Sequence, residues 1–155
     1  IVIAPHEIDT RHVDNIIARC EGKAIHYTAC DDTTRYDDYQ ILVLDTMGML
    51  SAVYRYAHWA YIGGGFGAGI HNTLEAAVYG MPVAFGTNYR KFREACDLIA
   101  LGAGRSVRSA EELKGWFDEL KSDNDYLARL SALAKVYVNQ HRGVTERVVK
   151  TIFNF

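Results

Sequence analysis

The chain has 155 residues, of which 49% are hydrophobic and 23% charged, with a net charge of -2 and a sequence pI of about 6.3. That is the size and balance of one ordinary globular domain able to bury a core, and it excludes a basic nucleic-acid surface. No apolar run reaches the length of a membrane span, since "MGMLSAVYRYAHWAYIGGG" is broken by Arg55 and His58, and nothing reads as a secretory signal peptide.

In chain order, "IVIA" (1–4) reads as a buried strand from the outset, with no initiator methionine. The expectation is a piece cut from a longer protein. Val13, Ile16, Ile17 and Cys20 then follow the i, i+3, i+4, i+7 spacing of an amphipathic helix. "AIHYTA" (24–29) is a second strand, and "CDDTTRYDDY" (30–39) a polar, acidic, solvated connection. Its four aspartates do not match a calcium loop, because the glycine and terminal glutamate are missing. "ILVLD" (41–45) is a third strand, followed by a helical pattern in Leu50, Val53, Tyr54 and Ala57. "WAYIG" (59–63) and "PVAFG" (82–86) flank a glycine-rich loop and a short helical stretch, "HNTLEAAVYG". Phe92, Ala95, Cys96 and Ile99 mark another helix before "RSV" (105–107). Ser109 and Glu112 make a capping box ahead of Leu113, Trp116, Phe117 and Leu120.

After Ser122 the strands stop, and "DYLARLSALAKVYVNQH" and "VTERVVKTIFNF" read as closing helices separated by Gly143. Strands alternating with helices predict an α/β fold, a parallel sheet covered on both faces. Cys20, Cys30 and Cys96 are odd in number and lack CxxC spacing, so they are expected to be reduced thiols.

Ligands of such sheets collect beyond the carboxyl ends of the strands. Four strand ends carry unusual residues: "PHEID" (5–9), "DTMG" (45–48), "GGGFGAGIHNTLE" (63–75) and "GTNYRKF" (86–92). Gly63, Gly65 and Ala68 spell G-x-G-x-x-A, but the dinucleotide fingerprint needs an acid at the end of the next strand, and "AFGTN" has none. In the helix that follows, Leu74, Ala77 and Val78 are expected to face the sheet, leaving Asn72, Glu75 and Tyr79 on another face. Asn72 is a candidate cap, and the first-turn N–H groups favour an anion such as phosphate. Glu75 reads either as a carboxylate favoured by the helix dipole or as a carboxylate that accepts both hydroxyls of a ribose. Spacing alone does not choose between these.

His6 and Glu7 follow a strand closed by Pro5, and the ordinary reading is a turn with Asp9 or Thr10 capping the next helix. "DTMG" has a similar reading, with Gly48 supplying backbone freedom, and His71 reads equally as a polar group at a helix start. His12, His26, His58 and His141 have no evident partners. A G-x-S-x-G elbow and a Walker G-x-x-x-x-G-K-[ST] are both absent.

From Ile41 to Ala95 the chain carries "LDTMG-L", "GGGF…G-HN-LE" and "G-PV-FG-NY-KF" in that order. In these motifs it resembles the C-terminal half of bacterial Kdo transferases, enzymes that attach 3-deoxy-D-manno-octulosonic acid to lipid A precursors in lipopolysaccharide biosynthesis. The resemblance implies a Rossmann-like parallel sheet with helices on both faces, the donor-binding half of a two-domain GT-B glycosyltransferase. Residues 1–155 would then be the CMP-Kdo domain, with the acceptor domain, general base and peripheral contact with the cytoplasmic side of the inner membrane supplied by an absent N-terminal half. It further implies an inverting reaction that needs no metal and no cofactor beyond the donor substrate, with no catalytic residue in this soluble piece.

Carried over by position, the backbone of Thr46, Met47 and Gly48 would lie against CMP, and Asn72 and Glu75 would hold its ribose. Gly64, Gly65, Phe66, Gly67 and His71, with the helix start, would take the phosphate. Asn88, Tyr89 and Lys91 would line the donor side. Where many relatives have "PRH", this chain has Pro5-His6-Glu7, so His6 stands in place of an arginine and lacks its bidentate fork. Alternatives are the donor domain of a glycosyltransferase using a UDP- or GDP-sugar, a non-catalytic nucleotide-binding module, and more distantly a dinucleotide oxidoreductase.

Overall fold

The computed structural model describes residues 1–153, apart from the side chains of residues 144 and 145. The chain forms two compact units that meet in sequence between Val53 and Tyr54.

In the first unit, β1 (Val2–Ile3), β2 (Ala24–His26) and β3 (Ile41–Val43) form a parallel sheet in the order β1-β3-β2. Ile3 and His26 both sit level with Val43, so all three strands end at one edge. The helix α1 (Thr10–Arg19) starts where Asp9 accepts a hydrogen bond from the His12 amide at 3.1 Å. Its apolar stripe behaves as the spacing predicts. Val13, 2% exposed, packs with Ala24 and Val43, and Ile16, Ile17 and Cys20 close around them. Burying one such valine contributes about 1.5–3 kcal/mol. Residues 30–39 are mostly exposed, with Asp31 capping its own turn through Thr33 and Thr34.

The helix α2 (Leu50–Tyr54) spans the boundary between the units and is shorter than the pattern running to Ala57. Ala57 donates to the Tyr54 carbonyl, a tight final turn, and none of the helix's side chains is buried. Leu50, Val53 and Tyr54 are only half-buried, so the stripe has less to hold it as helix.

In the second unit, β4 (Ala60–Ile62), β5 (Val83–Phe85) and β6 (Gly104–Ser106) form a second parallel sheet in sequence order. Val83 and Phe85 point into one core with Ile62, Ala77, Ala95 and Leu98. Ala84, between them, points into another with Trp116, Leu120 and Leu130. A strand buried on both sides reads as an unbroken apolar run, which is why "PVAFG" shows no alternation. α3 (Leu74–Ala77), α4 (Arg93–Leu101) and part of α6 (Asn124–Gln140) cover the first face, while α5 (Ala110–Ser122) covers the second. α5 begins at the expected cap, Ser109 Oγ accepting from the Glu112 amide at 3.2 Å. α7 (Val144–Phe153) follows Gly143, whose φ of +77° is left-handed. The predicted end of this helix, Asn154 and Phe155, lies outside the described residues.

The helix-facing expectation for residues 74–79 fails in part. Leu74 is 37% and Val78 52% exposed, while Thr73, Ala76 and Ala77 are wholly buried. The packed stripe is Thr73, Ala76, Ala77 and Gly80, spaced i, i+3, i+4, i+7, and it is made of small residues because α6 comes close. A Cβ on Gly80 would lie 2.4 Å from Lys135 Cε.

Candidate functional site

At the carboxyl edge of the first sheet, Pro5-His6 leave β1 beside Asp45–Gly48, which leave the neighbouring β3. Met47 is 74% exposed. Gly48 has φ +82° and open space where a Cβ would stand, so this glycine serves the turn itself and not a close approach.

Asp45 anchors the turn. Its Oδ1 accepts from the Thr28 amide at 3.0 Å and its Oδ2 from the Thr28 hydroxyl at 2.5 Å, with His26 Nδ1 3.2 Å away. Burial pushes this carboxyl up, but the bonds from Thr28 and His26 outweigh it and hold Asp45 below the ordinary carboxylate range. Two of the histidines without evident partners therefore have them. His26 meets Asp45 across adjacent strands, and His141 Nδ1 lies 2.8 Å from the Tyr137 carbonyl.

At the carboxyl edge of the second sheet, residues 63–72 leave β4 beside Gly86-Thr87-Asn88, which leave β5. The glycine loop folds on its own carbonyls: Gly67 and Gly69 amides donate to Gly64 O, and the His71 amide to Gly63 O. Gly65 and Gly86 touch backbone to backbone. A Cβ on Gly65 would lie 2.5 Å from Gly86 N, and one on Gly86 2.5 Å from the Gly65 carbonyl carbon. The Cβ side of Gly65 is thus taken up by the neighbouring strand exit. The amides of Phe66 and Ala68, both exposed, make no backbone hydrogen bond among the described residues.

Asn88 and Lys91 clamp this loop. Asn88 Nδ2 donates to Gly67 O at 2.7 Å, Lys91 Nζ to Ala68 O at 2.7 Å, and the Asn88 amide to Gly65 O at 2.8 Å. The Tyr89 ring rests on Phe85 with centroids 5.3 Å apart, packed against the core.

Asn72 and Glu75 meet as their spacing predicts. Asn72 Oδ1 accepts from the Leu74 amide at 2.9 Å, and its Nδ2 donates to Glu75 Oε1 at 3.1 Å. Glu75 is exposed and its Oε2 keeps its accepting capacity. Burial, and after it the charge of Glu75, pushes the Tyr54 phenol up, and the Tyr54 and Tyr79 rings stand 6.2 Å apart. Between Asn72 and Leu74, Thr73 is wholly buried and its hydroxyl makes no hydrogen bond among the described residues. α3 is four residues long, so it carries little of a helix dipole. Among the described residues no three His, Cys, Asp or Glu side chains are grouped to hold a metal ion, and no helix is long and apolar enough to cross a membrane.

No protein-family model matches the chain. Over 114 residues, 72% of its length, it is 30% identical to a 3-deoxy-D-manno-octulosonic acid transferase of Bordetella pertussis, of which it spans 27%. Among solved structures, the C-terminal CMP-Kdo binding domain of WaaA from Acinetobacter baumannii superposes with a TM-score of 0.78 at 19% identity, covering 88% of this chain and 72% of that one. The resemblance read from the motifs is borne out: in sequence the chain is similar to a 3-deoxy-D-manno-octulosonic acid transferase, and its α/β fold is that of the C-terminal CMP-Kdo binding domain.

Proposed function

We propose that this chain is the donor-binding domain of an inverting glycosyltransferase that transfers Kdo from CMP-Kdo to a lipid A precursor. One observation carries the reading: Glu75, steered by Asn72, offers a free carboxylate oxygen beside a clamped glycine loop at the carboxyl ends of β4 and β5. A carboxylate so held accepts two vicinal hydroxyls, as a ribose presents. The exposed amides of Phe66 and Ala68 suit a phosphate oxygen, with Gly64, Gly65, Gly67 and His71 shaping the loop. The backbone of Thr46, Met47 and Gly48 would lie against the nucleotide and Pro5-His6 against the donor. Asn88 and Lys91 would act as positioning residues through the loop.

The chain spans about a quarter of the transferase it matches in sequence. The acceptor surface, the general base and the contact with the cytoplasmic side of the inner membrane are therefore assigned to the rest of a full-length enzyme. In this reading the domain alone binds CMP-Kdo and does not transfer sugar, and it uses no metal or cofactor.

The test is calorimetric titration of the chain with CMP, UMP, GMP and NAD, alongside Glu75→Ala and Glu75→Gln. Preferential CMP binding, weakened at least about tenfold (1.4 kcal/mol) in both variants, is expected. A preference for UMP or GMP would move the chain to another glycosyltransferase while keeping the site. Binding of NAD alone, or turnover of CMP-Kdo by the isolated chain, would overturn the proposal.

A further inference from the structure

Apart from the Asn72–Glu75 pair, a polar cleft of about 580 Å³ opens between the exits of β5 and β6 and the start of α5, with Tyr89 of the Asn88–Lys91 segment on its rim. Its walls include Thr87, Arg90, Arg105, Ser106, Arg108 and Glu112. None of the three arginines makes an ion pair among the described residues, whereas Arg35 and Arg93 each lie 3.7 Å from an aspartate. The cleft's single acid is already engaged, because Glu112 Oε2 accepts from the Arg108 amide at 2.8 Å. Ser106 Oγ donates to the Gly86 carbonyl at 3.4 Å, while the Thr87 hydroxyl has no partner among the described residues.

Three guanidinium groups against one carboxylate leave an excess of two positive charges. That is the complement of a phosphate monoester, which carries about -1.5 to -2 at neutral pH. Guanidinium also matches phosphate in shape, giving two parallel N–H···O bonds where an ammonium gives a point contact. The start of α5 stands on the same wall but already carries Glu111 and Glu112 in its first turn, so the attraction for an anion rests on the arginines. Three unpaired like charges in one cleft repel each other, and a bound dianion relieves that repulsion.

We infer that this cleft binds a phosphate-bearing ligand through Arg90, Arg105 and Arg108. The site is separate from the Asn72–Glu75 pair, and it stands whether or not that pair holds a nucleotide. The phosphate comes either on a soluble ester or on a lipid headgroup, and the chemistry of recognition is the same for both.

The test is an amide-shift titration of the ¹⁵N-labelled 155-residue chain with inorganic phosphate at low salt. Saturable shifts at Thr87, Ser106 and Arg108 are expected, weakened at least about tenfold in Arg105→Gln/Arg108→Gln and less in Arg90→Gln. These side chains are exposed and unpaired, so both variants should melt with the parent. Lys114→Gln, an exposed cation further along α5, should leave the titration unchanged. Absence of saturable shifts at the cleft, or equal binding by the double variant, overturns the inference.

Vesicles of phosphatidylcholine with and without phosphatidic acid then separate the sources. Co-sedimentation with phosphatidic acid alone, lost in the double variant, makes the ligand a lipid phosphate. Phosphate shifts without co-sedimentation make it a soluble ester. The cleft variants should still titrate with CMP, and Glu75→Ala should keep the phosphate shifts, so one reading can fail without the other.

Discussion

After β3, Asp45 takes two hydrogen bonds from Thr28, stands 3.2 Å from His26 Nδ1, and the chain turns through Gly48 at φ +82°. After β4, the chain runs through five glycines, of which Gly65 lies directly on Gly86, while Asn88 and Lys91 hold the carbonyls of Gly67 and Ala68. Both segments leave three-residue parallel strands at the carboxyl edge of a three-stranded sheet. The first is held by its own carboxylate and the second by a close backbone contact that only glycine permits, with two side chains reaching in from the neighbouring strand exit. One should therefore answer to protons and the other to volume.

The largest expected effect is Gly65→Ala. Its Cβ would stand 2.5 Å from the backbone nitrogen of Gly86, and backbone at that distance cannot swing aside. Overpacking of this kind costs about 3 kcal/mol, and urea unfolding should show the same loss at pH 7 and pH 4. A wild-type-like midpoint would mean that the two strand exits are not in contact.

Next comes Asp45→Asn, which keeps the shape and removes the charge that Thr28 donates to. A cost of about 2 kcal/mol at pH 7 is expected. Because the folded carboxyl lies below its ordinary value, the ionised form is the one that folding favours. Its contribution is complete above the unfolded value near 3.9 and fades as pH falls through the folded value. Wild type and variant should thus converge in strong acid, and a difference constant with pH would break the contrast with Gly65.

Asn88→Ala removes one bond to Gly67 O while its amide bond to Gly65 O stays. The global loss should be about 1 kcal/mol, with faster amide exchange confined to the loop's own Gly67 and Gly69. The smallest effect concerns no stability at all. Glu75→Gln removes the negative charge that raises the Tyr54 phenol, so ultraviolet titration should find that tyrosine ionising at lower pH. An unmoved Tyr54 would place Glu75 elsewhere.

Much of this was readable before the fold was known. All six strands fall on the apolar runs, with β6 starting one residue earlier, at Gly104. β5, buried on both faces, has no room for a polar residue and reads as a plain apolar run. By contrast, β6 carries the exposed Arg105 and was marked chiefly by its place between two helices. The Asn72–Glu75 pair was readable from spacing, three positions apart, although Asn72 stands just ahead of α3 and meets Glu75 from outside the helix. Three things were not. The facing of α3 was misjudged because hydrophobicity ranks leucine and valine above alanine, while the packing there selects for smallness. The contact of Gly65 with Gly86 was hidden because sequence cannot show which backbone lies against a glycine. The His26–Asp45 contact and the arginine cleft join residues that only strand order brings side by side.

The small-residue stripe of α3 has a consequence for ligand entropy. Alanine and glycine lose no rotamer freedom when a chain folds, and threonine little. The element that carries Glu75 is therefore seated by Thr73, Ala76, Ala77 and Gly80 without the ordering of long side chains. Asn72 in turn restricts the carboxylate itself before anything binds. A ligand bound at Glu75 as proposed would meet a carboxylate whose freedom folding has already reduced, so a larger share of each hydrogen bond would appear as affinity.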